Sequence, residues 1–159
     1  MNDQSTVLKD RTAVDVSLLF LRVIVGVIFF AHGAQKVFGV WDGPGLSAMM
    51  GPPGPPPSPG MGPVLGFLVS IGECFGGLGL IVGILTRFSA ASLIVIMIGA
   101  IAMVHGKHGF FLHKQGFEYN LALIGLLIPI LLCGAGRFSI GRLFLPRSAK
   151  TGRPLIVIE

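Results

Sequence analysis

Charged residues are scarce in this chain of 159 residues: Asp, Glu, Lys and Arg together make up 12% of the sequence. Soluble domains typically contain about 25% charged residues. Hydrophobic residues make up 52% of the chain, and the mean hydropathy is +0.82. This composition does not fit an ordinary soluble domain and indicates an integral membrane protein.

Cysteine is also scarce. Cys74 and Cys133 lie far apart inside apolar runs and form no CxxC motif. Free cysteine often acts as a small buried hydrophobe, so we expect two free thiols, although the spacing alone leaves a disulfide open. The sequence has no Walker loop, CxxCH haem motif, dinucleotide fingerprint or Ser/His/Asp order. Redox chemistry would therefore need a partner subunit or a diffusible carrier.

Four apolar runs are present, and they predict helices at about residues 17–38, 64–85, 88–104 and 119–136. Many of the 24 glycines lie inside these runs with small-xxx-small spacing, which favours close helix packing in membranes. The predicted fold class is an all-α integral membrane protein with four transmembrane helices in an antiparallel bundle.

The remaining segments divide the chain further. Residues 1–15 form a polar N-terminal segment, residues 16–144 the membrane domain and residues 145–159 a basic tail. Within the membrane domain, residues 40–63 contain most of the prolines and predict a solvated outer loop, because proline disrupts helix interiors and sheets.

The basic residues predict the orientation. With four spans, both termini and the turn at Thr86 and Arg87 share one side, which then holds Lys9, Arg11 and five basic residues of the C-terminal part: Arg137, Arg142, Arg147, Lys150 and Arg153. The positive-inside rule places this side in the cytoplasm. We therefore expect a multi-pass protein of the inner (plasma) membrane with both termini cytoplasmic. We attribute the net charge of +5 to basic residues that set the membrane orientation and contact lipid headgroups, and not to nucleic-acid binding.

Four residues with basic or acidic side chains lie inside the apolar runs, where a charge is costly and usually marks a site or a partner. They are Arg22, His32, Lys36 and Glu73. Helical geometry puts Arg22 and Lys36 on one stripe but about 21 Å apart, so one carboxylate cannot contact both. Glu73 is the only acid at mid-membrane, and we expect it to be protonated or paired with a basic residue of this set. Two interpretations of these residues follow: an ion pair that fixes the register of the helices, or a polar pocket that binds a ligand.

A second polar set lies between the third and fourth runs. It consists of His105, His108, His113, Glu118 and Asn120. The histidines could bind a metal or an anion, or could face lipid headgroups. Metal sites usually need three or four ligands, and with Glu118 as the only nearby acid we predict no metal site. Glu118 and Asn120 are expected to close the outer end of the bundle. The segment of residues 105–120, which we call the histidine loop, is expected to act as a lid.

The order of these motifs, LRVIVGVIFFAHGAQKVFG, IGECFGGLGLIVGILTRFSA, HGKHGFF, GFEYNLALIGLL and GAGRFSIGRLF, resembles the DoxX family of small bacterial membrane proteins over about residues 18–144. The positions that match the family pattern are Arg22, Gly26, His32, Gly33, Lys36, Gly72, Glu73, Gly76, Gly77, Gly83, Gly109, Glu118, Tyr119 and Ser139. Gly141 departs from the pattern, which often has Asp there, and the proline-rich loop replaces a more helical segment.

The resemblance implies a four-helix membrane fold and an association with quinone- or thiol-linked membrane oxidoreductases, as a subunit or accessory that acts with a partner. Quinone is then the candidate ligand, bound by the polar core of Arg22, His32, Lys36 and Glu73. Redox-enzyme subunits and a second copy of the chain are candidate partners. Distant relatives act as chaperones or cargo receptors, so the alternative is a non-catalytic assembly or structural subunit.

Overall fold

A computed structural model of the protein describes residues 3–54 and 59–143. All regular secondary structure in these residues is helical, and they contain no strand. The five α-helices are α1 (Asp3–Phe38), α2 (Gly45–Met49), α3 (Pro63–Val82), α4 (Thr86–Ala100) and α5 (Glu118–Cys133). Helix α4 continues as a π-helix at Ile101–His105, and short 3₁₀ turns follow at Gly106–His108, Leu112–Lys114 and Ile140–Leu143. The all-α prediction is confirmed for this part of the chain.

Three helical segments are long and apolar enough to cross a membrane: Leu8–Phe38, Pro63–Val82 and Thr86–His108. Helix α5 is apolar but shorter, with 16 residues. At 1.5 Å per residue it is about 24 Å long, compared with a hydrocarbon core of about 30 Å. Large apolar side chains on these helices are widely exposed, including Phe88 at 70% and Leu132 at 68%. Soluble proteins rarely expose apolar surface on this scale.

Helix α1 begins at Asp3, well before the predicted start at about residue 17. The predicted boundary rests on the polar composition of residues 1–15. Residues 3–25 contain no glycine or proline, however, and nothing in them ends a helix. The polar segment is therefore a helical extension of the first apolar run, at least from Asp3.

Glycines determine how closely α1 and α3 pack. A Cβ atom at Gly33 would overlap the backbone of Cys74, and one at Gly26 would meet the carbonyl oxygen of Gly77. The order of these contacts shows that the two helices run antiparallel. Helix α4 lies antiparallel to α3 in the same way, with Ile96 against Gly72 and Leu93 against Gly76. Close backbone approach is the role expected of small-xxx-small spacing.

The core lies where all four long helices meet. It contains nine buried residues from α1, α3, α4 and α5: Val25, Phe29, Leu80, Ala90, Leu93, Met97, Leu123, Leu127 and Ile130.

Several helices end at a glycine with a positive φ angle. Gly39 follows α1 at φ 69°, Gly83 follows α3 at φ 78°, and Gly134 follows α5 at φ 78°. Gly134 thus stops the last helix three residues before the predicted boundary at about residue 136.

The described part of the proline-rich loop folds back onto the start of α3. The amide of Met61 donates to the carbonyl of Met49 at 3.0 Å, and Gly62 donates to Gly51 at 2.8 Å. Helix α2 buries Met49 against Gly66 of α3. Residues 55–58 of this loop and the basic tail of residues 145–159 lie outside the described residues, so the expectations for them stay predictions.

Candidate functional site

A cavity of about 380 Å³ lies between α1, α3, α4, α5 and the loop that connects α4 to α5. We call it the histidine cavity. Its apolar walls are formed by Phe29, Met97, Ala100, Val104, Leu112 and Leu123. Its polar lining residues are His32, Lys36, Glu73, His105, His108, Gln115, Tyr119 and Asn120. Six of these are predicted site residues from two separate sets, and the fold brings both sets to one place.

Lys36 and Glu73 form an ion pair on the wall of the cavity. Glu73 is only 3% exposed, while about a quarter of the Lys36 side chain is accessible. The pair forms because Gly33 allows α1 to lie directly against the backbone of α3 at Cys74. Lys36 is therefore the basic partner that the burial of Glu73 requires. The sequence alone does not show which of the basic residues takes this role.

His32 lies one helical turn before Lys36 on α1 and also lines the cavity, but its side chain is exposed. It is not buried in a polar core as predicted. Lys36 satisfies Glu73 instead. On the helical wheel His32 lies about 100° from the neighbouring Gly33, which packs against α3, so its side chain points away from the α1–α3 contact. His32 can therefore contact a ligand in the cavity or the lipid and water around α1.

The loop histidines differ in their placement. His105 and His108 line the cavity, whereas His113 does not and lies against Phe111 with ring centroids 5.6 Å apart. The Nδ1 of His105 is 2.8 Å from the carbonyl oxygen of Gln115. A carbonyl oxygen only accepts hydrogen bonds, so Nδ1 carries the proton in this contact and Nε2 is an acceptor in the neutral ring.

Glu118 shapes the loop and does not line the cavity. Its carboxylate accepts a hydrogen bond from the backbone amide of Leu112 at 2.9 Å. Phe110 packs edge-to-face on Phe111 and Phe117, with ring centroids 5.4 and 5.5 Å apart. These contacts hold the loop in a compact form over the end of the bundle.

Asn120 is buried on α5, and its Nδ2 lies 3.4 Å from the Sδ of Met97 on α4. Sulfur is a weak acceptor, so the amide can exchange this contact for a stronger one. Tyr119 and Gln115 also line the cavity, but residue patterns alone did not identify them as site residues. One available signal was that Tyr119, the only tyrosine, directly precedes Asn120 at the start of an apolar run.

Arg22 does not belong to the polar core predicted from the sequence. It is almost fully buried at the opposite end of the bundle, where Nη1 donates to the carbonyl of Ala135 at 3.0 Å and Nη2 donates to that of Phe138. The 14 residues between Arg22 and Lys36 separate them by about 21 Å of helix. Arg22 therefore binds the carbonyl groups that follow α5 and has no contact with Glu73.

Within the described residues, no group of three or more His, Cys, Asp or Glu side chains is placed to hold a metal ion. The histidine cavity instead combines apolar walls with hydrogen-bond donors and acceptors. This is the usual design of a small-molecule site, and the volume lies within the common range of about 300–1,000 Å³. The arrangement suits a flat ring with polar oxygens at its edge.

Comparison with known proteins supports the resemblance. A family model described as DoxX matches residues 17–106. The match includes His32, Lys36, Glu73 and His105 but ends before Tyr119 and Asn120.

Three curated proteins are similar along most of their length. A Haemophilus influenzae protein named "Uncharacterized protein" is 31% identical, over 80% of this chain and 83% of its own. A Mycobacterium tuberculosis "Uncharacterized membrane protein" is 29% identical over 86% of each chain. A Bacillus subtilis protein named "Putative oxidoreductase CatD" is 30% identical, over 73% of this chain and 79% of its own. No solved structure matches this chain significantly.

Proposed function

The chain belongs to the DoxX family and is a membrane protein, and from this premise we propose that it binds a quinone-type ring in the histidine cavity. In this proposal it acts as a subunit or accessory of a quinone- or thiol-linked membrane oxidoreductase. The single observation that carries the proposal is the convergence of Lys36, Glu73, His32, His105 and Asn120 on one largely apolar cavity.

The chemistry of the lining supports a quinone over a charged metabolite. The ring of a quinone is flat and apolar, and its two carbonyl oxygens accept hydrogen bonds. The ammonium group of Lys36 and the amide of Asn120 are donors, while Phe29 and Leu123 supply apolar contact area. A cavity of this size, opening among apolar helices, accepts such a ring with part of an attached tail.

Proton exchange is the second part of the proposed role. Reduction of a quinone to a quinol takes up two electrons and two protons. The electrons would come from a partner oxidoreductase, and the residues of this chain would hold and exchange the protons. Glu73 and His105 are the groups that can do so, with the ammonium group of Lys36 stabilising negative charge on the ring oxygens. The name of the Bacillus subtilis relative is consistent with an oxidoreductase role.

The membrane arrangement is also a proposal. Helices α1, α3, α4 and α5 would all cross the inner membrane, with both termini and the α3–α4 turn in the cytoplasm. The exposed apolar side chains of every long helix and the basic residues near the termini support it. Helix α5 is short, and the following residues would lie in the interfacial region. The histidine cavity would then open at the outer end of the bundle.

The experiment is a binding titration on the purified protein in lipid nanodiscs, with a short-tailed ubiquinone and a short-tailed menaquinone analogue. Wild-type protein should bind at least one of them. In this proposal His108, which lines the cavity, donates a hydrogen bond to a quinone oxygen. His108→Leu should therefore weaken binding by about three- to tenfold, as expected for one lost hydrogen bond. His113→Leu is the matched control, because that loop histidine does not line the cavity. Absence of quinone binding, or equal losses in the two variants, would contradict the proposal.

The alternative is a non-catalytic assembly or structural subunit. The observation in its favour is that Lys36 and Glu73 already satisfy each other, as a pair that only fixes helix register would. The two functions differ in their response to Glu73→Gln. A quinone-linked role predicts lost redox activity in membranes with the partner still bound, whereas a purely structural role predicts that activity follows the amount of assembled complex.

A further inference from the structure

A second cavity, of about 960 Å³, lies at the opposite end of the bundle. This open cavity is lined by the early part of α1, the turn between α3 and α4, and the segment after α5. We call it the arginine cavity, and its polar lining residues are Asp15, Thr86, Arg87 and Ser139. It shares no lining residue with the histidine cavity, so a ligand at this end of the bundle is independent of the quinone proposal.

Positive charge exceeds negative charge at this end of the bundle, because Arg22 and Arg87 lie near the single carboxylate of Asp15. The Nη2 of Arg87 donates to the carbonyl of Leu132 at 2.8 Å, and the Arg87 side chain is exposed. Arg22 lies directly behind Gly83, where a Cβ atom would collide with the guanidinium. Neither arginine has an ion-pair partner in the part of the chain that the structure describes.

One acid does line the cavity, but it is already engaged. The Oδ1 of Asp15 accepts a hydrogen bond from the backbone amide of Arg137 at 2.8 Å. Asp15 thus holds the segment after α5 in place. Arg22 and Arg87 bring two positive charges to this end and Asp15 one negative charge, so the surroundings of the cavity favour an anion.

Two buried hydroxyl groups in the lining have no hydrogen-bond partner. The Oγ1 of Thr86 is unpaired in a residue that is only 5% exposed, and the Oγ of Ser139 is buried and unpaired as well. The Nε of Arg22 is the third buried donor without a partner among the described residues. Buried polar groups are rarely left unsatisfied in proteins, so the two unpaired hydroxyl groups of the lining indicate an acceptor that belongs in the cavity.

Helix α4 adds further donors. It begins at Thr86, runs for 15 residues, and has no side chain that caps its first turn. The first amides of a helix have no intrahelical partner and carry the positive end of the helix dipole. These amides, the Arg87 side chain and the Thr86 hydroxyl belong to the same turn. This combination is the usual composition of a phosphate site.

We propose that the arginine cavity binds a phosphate group. Arg87 and the first amides of α4 would contact its oxygens, the hydroxyls of Thr86 and Ser139 would donate to them, and Arg22 would add positive charge from behind Gly83. The phosphate can belong to the headgroup of an anionic phospholipid or to a free anion. The exposed Leu85 and Phe88 beside the cavity, at 73% and 70%, would contact the acyl chains of a lipid.

The test measures lipid retention by native mass spectrometry after transfer from nanodiscs of phosphatidylglycerol or phosphatidylcholine into detergent. Wild-type protein should retain phosphatidylglycerol in preference. Arg87→Gln should lower this retention by about tenfold, and Thr86→Val by about threefold or more, as expected for lost charged and neutral hydrogen bonds. Arg137→Gln is the matched control, because this exposed arginine is on the same side but does not line the cavity.

A second arm separates the two sources. Inorganic phosphate is titrated into protein held in phosphatidylcholine nanodiscs. If phosphate binds, and Arg87→Gln weakens this binding more than Thr86→Val does, the site is assigned to a free anion. If the protein retains phosphatidylglycerol but does not bind phosphate, the site is assigned to a lipid headgroup. The proposal is overturned if the wild type prefers neither ligand, or if Arg137→Gln loses as much as Arg87→Gln.

The Thr86→Val variant also guards against misfolding as an explanation. Removing a buried, unpaired hydroxyl should leave the ligand-free protein as stable as the wild type or more stable. The proposal therefore expects an unchanged or higher melting temperature in phosphatidylcholine together with a smaller gain on adding phosphatidylglycerol. A melting temperature that falls equally in both lipids would overturn it.

Discussion

At the scale of single residues, Lys36 and Glu73 decide the character of the histidine cavity. Glu73 is almost fully buried, and Lys36 reaches it from the neighbouring helix. A buried carboxylate without a partner is strongly unfavourable, whereas a buried pair is close to neutral overall. The pair therefore places two charged groups beside an apolar wall at little net cost in stability.

We predict that Lys36→Met destabilises the protein by about 3 kcal/mol, because it leaves Glu73 buried without its partner. The double variant Lys36→Met/Glu73→Leu should recover most of this loss, since it removes the charge as well. Unfolding in mixed detergent micelles measures both values. Equal stability of Lys36→Met and the wild type would show that the ion pair does not form in the folded protein.

At the scale of helices, the contact between α1 and α3 positions that pair. Gly33 and Gly77 let the two backbones touch, since a Cβ atom at either position would overlap the backbone of the other helix. Lys36 lies one turn beyond Gly33 and meets Glu73 because the helices are this close. Small residues act here through the packing distance and not through chemistry of their own.

We predict that Gly33→Ala lowers stability by about 1–3 kcal/mol, the usual cost of overpacking a close contact. It should also weaken the Lys36–Glu73 pair, since the methyl group pushes α1 away from α3. Gly99→Ala is the control: no atom lies within 4 Å of its Cβ position, so stability should stay the same or rise by up to about 1 kcal/mol. Similar losses in both variants would argue against a tight α1–α3 contact.

At the scale of the whole molecule, the bundle has two ends with different chemistry. The histidine cavity lies at one end with the ion pair and the loop histidines, and the arginine cavity lies at the other. Lys9, Arg11 and Arg137 also belong to the arginine end, near Asp15. In the proposed orientation, that end meets the cytoplasmic leaflet, whose lipids are anionic.

We predict that this orientation can be read from cysteine labelling in spheroplasts. In a Cys74→Ala/Cys133→Ala background, Lys107→Cys should react with a membrane-impermeant maleimide, because the histidine loop would face outward. Arg11→Cys should react only after permeabilisation. Both positions are exposed in the fold, so accessibility within the protein does not bias the comparison. The reverse pattern would invert the proposed topology.

Much of the fold can be predicted from the sequence. Low charge and long apolar runs require that backbone polar groups be satisfied within each segment, which only helices can do here. The helix positions were therefore predictable, apart from ends that depend on single residues such as Gly134. The family was predictable as well, because its motifs occur in order along the chain, and the family match confirms it.

The sequence by itself thus determined the helical class, the family and the polar residues that lie inside apolar runs. Only the tertiary structure decided how those residues group. Spacing along one helix could not reveal that Gly33 brings Lys36 to Glu73, or that the loop histidines close over the same cavity. Nor could it place Arg22 at the carbonyls after α5. The physical reason is that pairing depends on distances between helices, whereas local sequence governs only the conformation within each one.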